Sequence, residues 1–366
     1  MTRPIAKWPL AAVAACLLLS MSPASTVGDV ADAKVEPAES ASELATRLFQ
    51  QECSAFSFVD RGQAQTSSPR PASSARFAIV LSGSSRTFHE AWPSLHRLLL
   101  ERNDVDVFAS INLPTHAKKF DCWQFASLLA TGKVRSMVVH KKSTEDVIAT
   151  ASRTSNPSFP YKERHEQNQE PKRTPSYYKG VLLQHFWNND AYAAMQRYEA
   201  ERNAPPYELV IRVRPDVVYL DNDLSGFDLD ALHEYAVRWH GARYINVPES
   251  NAWGGITDMF AIVSRPCSDI YFRMLHDMEH YLTKDSVPFH PETLTKFAVV
   301  LKGGCQLVLL EDVLQNLNGG HSAERKPFDY CVARKNGCNM RPTPLPPLSC
   351  TYPSEHGNWD TWRSGM

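Results

Sequence analysis

The chain has no excess of basic residues: 39 Lys and Arg stand against 40 Asp and Glu, for a formal net charge of −1. A nucleic-acid binder carries a basic patch or stripe as its electrostatic footprint, and none is present, so nucleic acid is excluded as a partner class. There is no Gly-x-Ser-x-Gly elbow, which argues against an α/β-hydrolase type of enzyme. There is no Cys-x-x-Cys pair, and the spacing of Cys331, Cys338 and Cys350 is not that of a zinc site. No apolar run reaches the about 20 residues that a membrane span needs. The apolar stretch at the N-terminus, Trp8 to Met21, has only fourteen residues. Nor does the chain lack apolar residues: 43% of its 366 residues are hydrophobic, so it is neither disordered nor fibrous in composition.

The N-terminus reads as a targeting segment. Arg3 and Lys7 precede the apolar run, and small residues follow at Ser22, Ala24 and Ser25. Residues 1–25 are therefore a signal peptide or a short signal anchor. Membrane contact is expected only through this segment, if it stays uncleaved. The remainder is placed in the secretory pathway: the Golgi or ER lumen, or secreted. Disulfides are allowed there. Seven cysteines lie beyond the apolar run, an odd number, so at least one thiol is free or pairs with another chain. Disulfides bracing a loop-rich tail are the simplest use for the rest, with connectivity left open.

Residues 26–75 are rich in Ala, Ser, Pro and Glu and read as a stem. Within them, Ser40 to Gln51 has the spacing of a short helix, and Gln63 to Ser74 reads as a flexible linker. Residues 76–330 then form a single domain, and residues 331–366 a Cys- and Pro-rich tail. The domain opens with Phe77–Leu81, fully apolar as a strand buried on both faces would be. The loop from Ser82 to Thr87 follows, and then a helix carrying Trp92, Leu95, Leu98 and Leu99. Further strands are expected at Asp104–Ser110 and Val134–His140. Alternation of strand and helix argues for a parallel sheet with right-handed crossovers. Asp104 and Asp106 fall at a strand entry and need no functional role. Residues 141–176, polar and with four prolines, read as a long connection, a lid, a binding loop or an insertion. Tyr177 to Arg202 is the clearest helix, with Val181, Leu182, His185, Phe186, Asn189, Tyr192, Ala193 and Gln196 along one stripe. Later elements are a strand at Tyr244–Pro248, a strand after Asp258, a helix over Ile270–Leu282, a helix from Pro291 to Leu301, and a last strand over Cys305–Leu310.

The stretch Tyr207 to Leu220 stands apart. It has the β-branched composition of a buried strand, yet Arg212, Arg214, Pro215 and Asp216 interrupt it. Proline cannot donate to a sheet ladder, so the strand ends or bulges at Pro215. Asp216 then emerges at a strand's carboxyl end, where open α/β sheets bind ligands. An internal Arg–Asp ion pair is the simpler alternative. Two further candidates come from the residues. Asp221-Asn222-Asp223 places two carboxylates one residue apart, a spacing able to hold Mn²⁺ or Mg²⁺ beside a diphosphate, though Asp and Asn are also common turn formers. Ser82-Gly83 and Arg86 offer backbone N–H groups and a charge to a phosphate.

Four blocks together resemble a family of GT-A type glycosyltransferases. They are Ile79-Val80-Leu81-Ser82-Gly83-x-x-Arg86-Thr87-Phe88, Tyr207-x-Leu209-Val210-Ile211-Arg212-x-Arg214-Pro215-Asp216, Gly254-Gly255-x-x-Asp258-x-Phe260-Ala261, and His290-Pro291-Glu292 heading a helix. The resemblance spans roughly residues 76–320. It implies an α/β fold: one GT-A-like (Rossmann-like) domain, its mostly parallel central sheet flanked by helices. It also implies transfer of a sugar from a nucleotide-sugar donor to a hydroxyl on a glycan, protein or lipid acceptor. In better-known members the equivalent strand end carries Asp-x-Asp, which holds a divalent metal and the sugar-nucleotide diphosphate. Here Arg214 stands where the first aspartate would be, so metal dependence is open. On this reading Ser82, Gly83, Arg86, Arg212 and Arg214 hold the donor. Asp216 is the key acid at the diphosphate, as a metal ligand or beside the arginines, with Asp221 and Asp223 as the rival metal pair. Asp258 deprotonates the acceptor, Glu249 being a weaker alternative. Glu292 closes the site from below, and Trp253 stacks on a sugar. His290 and His321 are candidate late metal ligands, and Tyr177, Lys179 and Gln184 are candidates to face a nucleotide. A non-catalytic carbohydrate-binding protein with a degenerate fold of this kind is the competing reading, favoured by the broken Asp-x-Asp.

Overall fold

The computed structural model describes residues 56–59, 63–66, 75–113, 125–140, 144–155, 159–161, 177–202, 205–219, 227–249, 255–317, 330–334 and 337–339. In chain order the elements begin with two strands, β1 (Phe56–Val59) and β2 (Gln63–Thr66), which pair antiparallel. Then come β3 (Phe77–Ser84), α1 (Phe88–Leu95, running on through a wider turn over His96–Leu100), β4 (Val105–Asn112), α2 (Ala126–Ala130), β5 (Val134–His140) and α3 (Thr144–Ser155). The middle holds α4 (Tyr177–Glu201), β6 (Leu209–Val213), β7 (Val217–Tyr219), α5 (Leu229–His240), β8 (Tyr244–Val247) and β9 (Phe260–Ser264). The last part holds α6 (Arg265–Phe272), α7 (Met274–Thr283), α8 (Pro291–Lys296, continuing as a wider turn over Phe297–Lys302), β10 (Gln306–Leu309), α9 (Leu310–Leu317), β11 (Tyr330–Arg334) and β12 (Gly337–Asn339).

Seven strands form the central sheet in the order β10-β8-β9-β6-β3-β4-β5. Only β9 runs against its neighbours, so the sheet is mostly parallel, and helices flank both faces. That is the expected fold class. Strand β3 explains why: its residues alternate between two apolar layers and both are filled. Phe77, Ile79 and Leu81 belong to one core with residues of α1, α5 and α9. Ala78 and Val80 belong to the other, with residues of α4 and α6. A third cluster joins α4 to α3, α7 and α8.

The topology defines where a ligand would sit. From β3 the chain first moves outward to β4 and β5, then returns to place β6 on the other side of β3. The strand order reverses between β3 and β6, and the crevice at the carboxyl ends of such a pair is the expected ligand site of an open α/β sheet.

Several expectations shift in detail. The long strand from Tyr207 breaks where proline requires: β6 stops at Val213, and after Pro215 the chain joins a second sheet, where β7 pairs with β11 and β11 with β12. Strand β3 runs to Ser84, because Ser82, Gly83 and Ser84 pair with Ser110, Ile111 and Asn112 of β4. The expected loop is thereby shortened to Ser85–Thr87. The helix expected over Ile270–Leu282 is two, parted at Arg273, whose ψ of 12° leaves the helical range. The break lets Tyr271 and Phe272 pack against the sheet and Met274, Leu275 and Met278 pack in the third cluster. The polar segment after His140 contains α3, whose few apolar residues, Ile148 and Ala151, lie against the third cluster. Gln63–Thr66, read as linker, is strand β2. The expected helix at Ser40–Gln51 and the segment 1–25 lie outside the described residues. Among the described residues no helix is long and apolar enough to cross a membrane.

A disulfide joins Cys267, at the start of α6, to Cys305, at the entry to β10, with 6.2 Å between their Cα atoms. Asp106 is fully buried and braced by Arg135 Nε at 2.6 Å and the Tyr207 hydroxyl at 2.7 Å, while Asp104 is exposed. Asp106 is therefore structural.

Candidate functional site

The backbones of two of the sequence blocks meet at the switch point. Gly83 has φ 137°, a region L side chains rarely adopt, and a Cβ there would lie 3.2 Å from Cδ of Pro215. Glycine is what allows the end of β3 to pass the Arg-Pro-Asp turn this closely.

Above that contact four charged side chains form a chain. Arg214 donates from Nε to Asp216 Oδ1 at 3.0 Å and from Nη2 to Asp216 Oδ2 at 3.0 Å. Its third nitrogen, Nη1, donates to Asp258 Oδ2 at 3.0 Å. Arg86 approaches Asp216 from the β3 side, with Nη2 2.6 Å and Nε 3.2 Å from Oδ2. Asp216 is 1% exposed, whereas the Arg86 side chain is 49% exposed. Burial pushes the Asp216 carboxyl up, but Arg214 and Arg86 outweigh it and hold it below the usual carboxylate range. Burial likewise opposes the Arg214 charge, and Asp216 and Asp258 more than restore it, so its pKa is raised.

Arg212 sits beneath this chain. It is 1% exposed, and its Nη1 donates to the carbonyls of Ser82 at 2.8 Å and Val213 at 2.5 Å. It thus fixes the ends of β3 and β6 to one another. Burial lowers its pKa to about 10, with the neighbouring Arg214 charge adding to the effect and Asp258 opposing it. Ser82 is buried and faces α4, donating to Asn188 Oδ1 at 2.6 Å. His185, one turn earlier on the same helix, is 2% exposed, and among the described residues its Nε2 has no hydrogen-bond partner. Burial lowers its pKa to about 4. It lies within electrostatic range of Asp258 and Arg212 and is neutral at pH 7.

The third and fourth blocks also meet. Ile256 N donates to Glu292 O at 3.0 Å, and a Cβ on Gly255 would fall 2.2 Å from the Glu292 carbonyl carbon and oxygen. This contact sets Asp258 and Glu292 near one another. Burial raises the Glu292 carboxyl, Asp258 adds to the shift, and His290 opposes it, its Nδ1 being 3.0 Å from Glu292 Oε2.

The structure therefore brings Ser82, Gly83, Arg86, Arg212, Arg214, Asp216, Asp258 and Glu292 to one place. Glu249 follows β8, its backbone N–H donating to the Glu311 carboxylate. Lys179 lies 3.6 Å from Glu145 of α3, and Gln184 is half-buried on α4. Asp221, Asp223, Trp253, His321 and the Tyr177 side chain lie outside the described residues. His185 escaped notice as a site residue because it falls in the stripe read as packing, and Asn188 because it stands among several polar residues of the same helix. Two polar residues three apart in such a helix were the available signal.

The donor set at Asp216 does not suit a cation. Both carboxylate oxygens already accept from guanidinium groups, and the side chains between which an ion would sit are themselves positive. Among the described residues no group of three or more His, Cys, Asp or Glu has the arrangement of a metal site. Asp258 differs. Oδ2 is held by Arg214, and Oδ1 accepts no hydrogen bond among the described residues. One oxygen fixed and one unengaged is the geometry of a carboxylate able to accept a proton.

No protein-family model matches the sequence, and no curated protein matches it. Among solved structures, mouse xyloside xylosyltransferase 1 in its apo form is similar over 73% of this chain and 99% of its own, with 11% identity and a TM-score of 0.34. A Saccharomyces cerevisiae mannosyltransferase is similar over 74% of this chain and 79% of its own, with 12% identity and a TM-score of 0.34. A Pyrobaculum calidifontis mannosyltransferase in complex with GDP-mannose and Mn²⁺ is similar over 74% of this chain and 62% of its own, with 11% identity and a TM-score of 0.30. All three are glycosyltransferases. At this identity and these TM-scores the likeness supports no statement about activity.

Proposed function

We propose that the protein transfers a sugar from a nucleotide-sugar donor to a hydroxyl acceptor, at the crevice between β3 and β6. The observation that carries this reading is the Arg86–Asp216–Arg214–Asp258 chain. It places two guanidinium groups and a carboxylate with one oxygen unengaged among the described residues side by side at the ligand end of the sheet.

The chemistry assigns each residue a task. Arg86 and Arg214 receive the donor's diphosphate, with arginine's fork suited to paired phosphate oxygens. Arg212 and Asn188 hold the ends of β3 and β6 in place. Asp258 Oδ1 takes the proton from the acceptor hydroxyl as the acceptor oxygen bonds to the anomeric carbon. The bond from that carbon to the diphosphate breaks on the opposite side, and its electron pair leaves with the phosphate oxygen. The arginines neutralise that charge as it develops. The product is the inverted glycoside together with a nucleoside diphosphate. Glu292, with its raised pKa, packs behind Asp258.

An oxidising lumen of the secretory pathway is the proposed setting. The Cys267–Cys305 disulfide and the targeting character of residues 1–25 support it. The acceptor, whether glycan, protein or lipid, is left to experiment.

The test is a thermal-shift series on the full chain against a panel of nucleotide sugars, since a ligand that binds the native state raises its apparent stability. The expected result is stabilisation by one donor class, reduced in Arg214→Ala. Equal stability with every donor would remove the reading.

A further inference from the structure

We infer that the site binds the diphosphate of its donor without a divalent metal, and that Asp216 is a positioning residue that holds Arg86 and Arg214 ready for phosphate. This rests on the transferase reading above and deepens it at the same site. Three observations converge. First, both oxygens of Asp216 are already engaged by cations: Oδ1 accepts from Arg214 Nε, and Oδ2 accepts from Arg214 Nη2 and from both Nε and Nη2 of Arg86. A cation placed there would sit beside two guanidinium groups and compete with them for the same carboxylate.

Second, the charge balance is that of an anion site. Arg86 and Arg214 pair with Asp216 and Asp258, the buried Arg212 adds a third guanidinium beneath them on the carbonyls of Ser82 and Val213, and burial pushes the neighbouring Glu292 carboxyl toward its neutral form. Both carboxylates already have their arginine partner, so the excess is cationic. A metal-dependent diphosphate site has the opposite make-up: protein carboxylates supply negative charge, and the ion bridges them to phosphate. Here arginine performs the bridging directly.

Third, the parts differ in freedom as such a device requires. Asp216 and Arg212 are each 1% exposed and fixed. The Arg86 side chain is 49% exposed and reaches Asp216 from the crevice. Arg86 is thus the arm with the freedom to transfer from carboxylate to phosphate, while Arg214 stays on Asp216. Asp216 keeps the forks extended in its absence and competes with phosphate for them.

Calorimetric titration of the full chain with inorganic pyrophosphate and with uridine and guanosine diphosphates, each in EDTA and again with Mn²⁺, tests this. The account expects binding in EDTA and an affinity changed less than about threefold by Mn²⁺. Arg86→Ala, a change at a half-exposed side chain, should weaken pyrophosphate by about tenfold or more, the scale of a lost charge-assisted hydrogen bond. Asp216→Asn should bind pyrophosphate in EDTA more tightly, by about threefold to tenfold, because the competing charge is gone. A metal ligand would behave oppositely, its loss abolishing Mn²⁺-dependent binding. Should Asp216→Asn not fold, the Arg86→Ala titration decides alone. Nucleotide binding that appears only with Mn²⁺ overturns the inference and leaves the transferase reading standing. Pyrophosphate binding in EDTA with no nucleotide binding supports the arginine clamp and removes the nucleotide-sugar reading. No binding of any probe under either condition overturns both.

Discussion

Arg214 is one side chain with two obligations: it clamps Asp216 bidentately and fixes one oxygen of Asp258. Its replacement by Lys would keep the charge and lose the fork, so the two are not equivalent here. Asp258 is the residue on which turnover should depend most. Asp258→Asn is expected to lower the rate of donor turnover by about 10²- to 10⁴-fold, the range of general-base catalysis, with donor affinity little changed. A second residue-scale prediction concerns His185. Burial depresses its pKa from 6.5 to about 4, so between those values the unfolded chain binds a proton that the folded chain does not. Stability is therefore lost as pH falls from 6.5, and at pH 5 this residue alone should cost about 2 kcal/mol. Urea denaturation at pH 7 and pH 5 should show that loss in the wild type and a correspondingly smaller one in His185→Gln. Parallel losses in the two would mean that His185 is not the group responsible.

At the scale of elements, two junctions hold the site together. The first is the approach of Gly255 to the start of α8, so close that the smallest side chain would overlap the Glu292 backbone. Gly255→Ala should destabilise the protein by about 3 kcal/mol or more, through overpacking against backbone rather than against a yielding side chain. A shift of under about 0.5 kcal/mol in the denaturation midpoint would mean that the two segments part easily. The second is the Cys267–Cys305 disulfide, which spans 38 residues. Chain entropy for a loop of that length predicts that the Cys267→Ser, Cys305→Ser double variant loses about 4 kcal/mol, read from the same denaturation curves. Strands such as β3 and β6 were legible because a strand buried on both faces is largely apolar, and proline at 215 fixed where β6 ends. Helix α3 was hidden because only a few of its residues touch the core. The break at Arg273 was hidden because residues 271 to 282 keep one apolar stripe, and only the tertiary division of that stripe between two cores parts the helix.

For the whole molecule, the site was legible to the extent that it lies in the backbone's own punctuation. Gly83, Pro215 and Gly255 stood out as turn-forming residues next to apolar strands, and the charges beside them come together at the switch point. Sequence alone did not show who pairs with whom. Arg214 and Asp216, two residues apart, would share one face of a regular strand, but the break at Pro215 left their facing open. It took the fold to show that Arg86, 130 residues away, also closes on Asp216. His185 and Asn188 were invisible for the reason that a polar residue in a helix packed on a sheet usually belongs to packing. The central claim is that this switch point performs transfer rather than binding alone, and the most direct measurement is release of nucleoside diphosphate from nucleotide sugar. It would be followed in the full chain and in Asp258→Asn, with donor binding measured in parallel. The account predicts release by the wild type and intact donor binding with release lowered at least about 10²-fold in the variant. Donor binding with no release by the wild type, across acceptors and with water, would contradict it and identify the protein as a binder of nucleotide sugars.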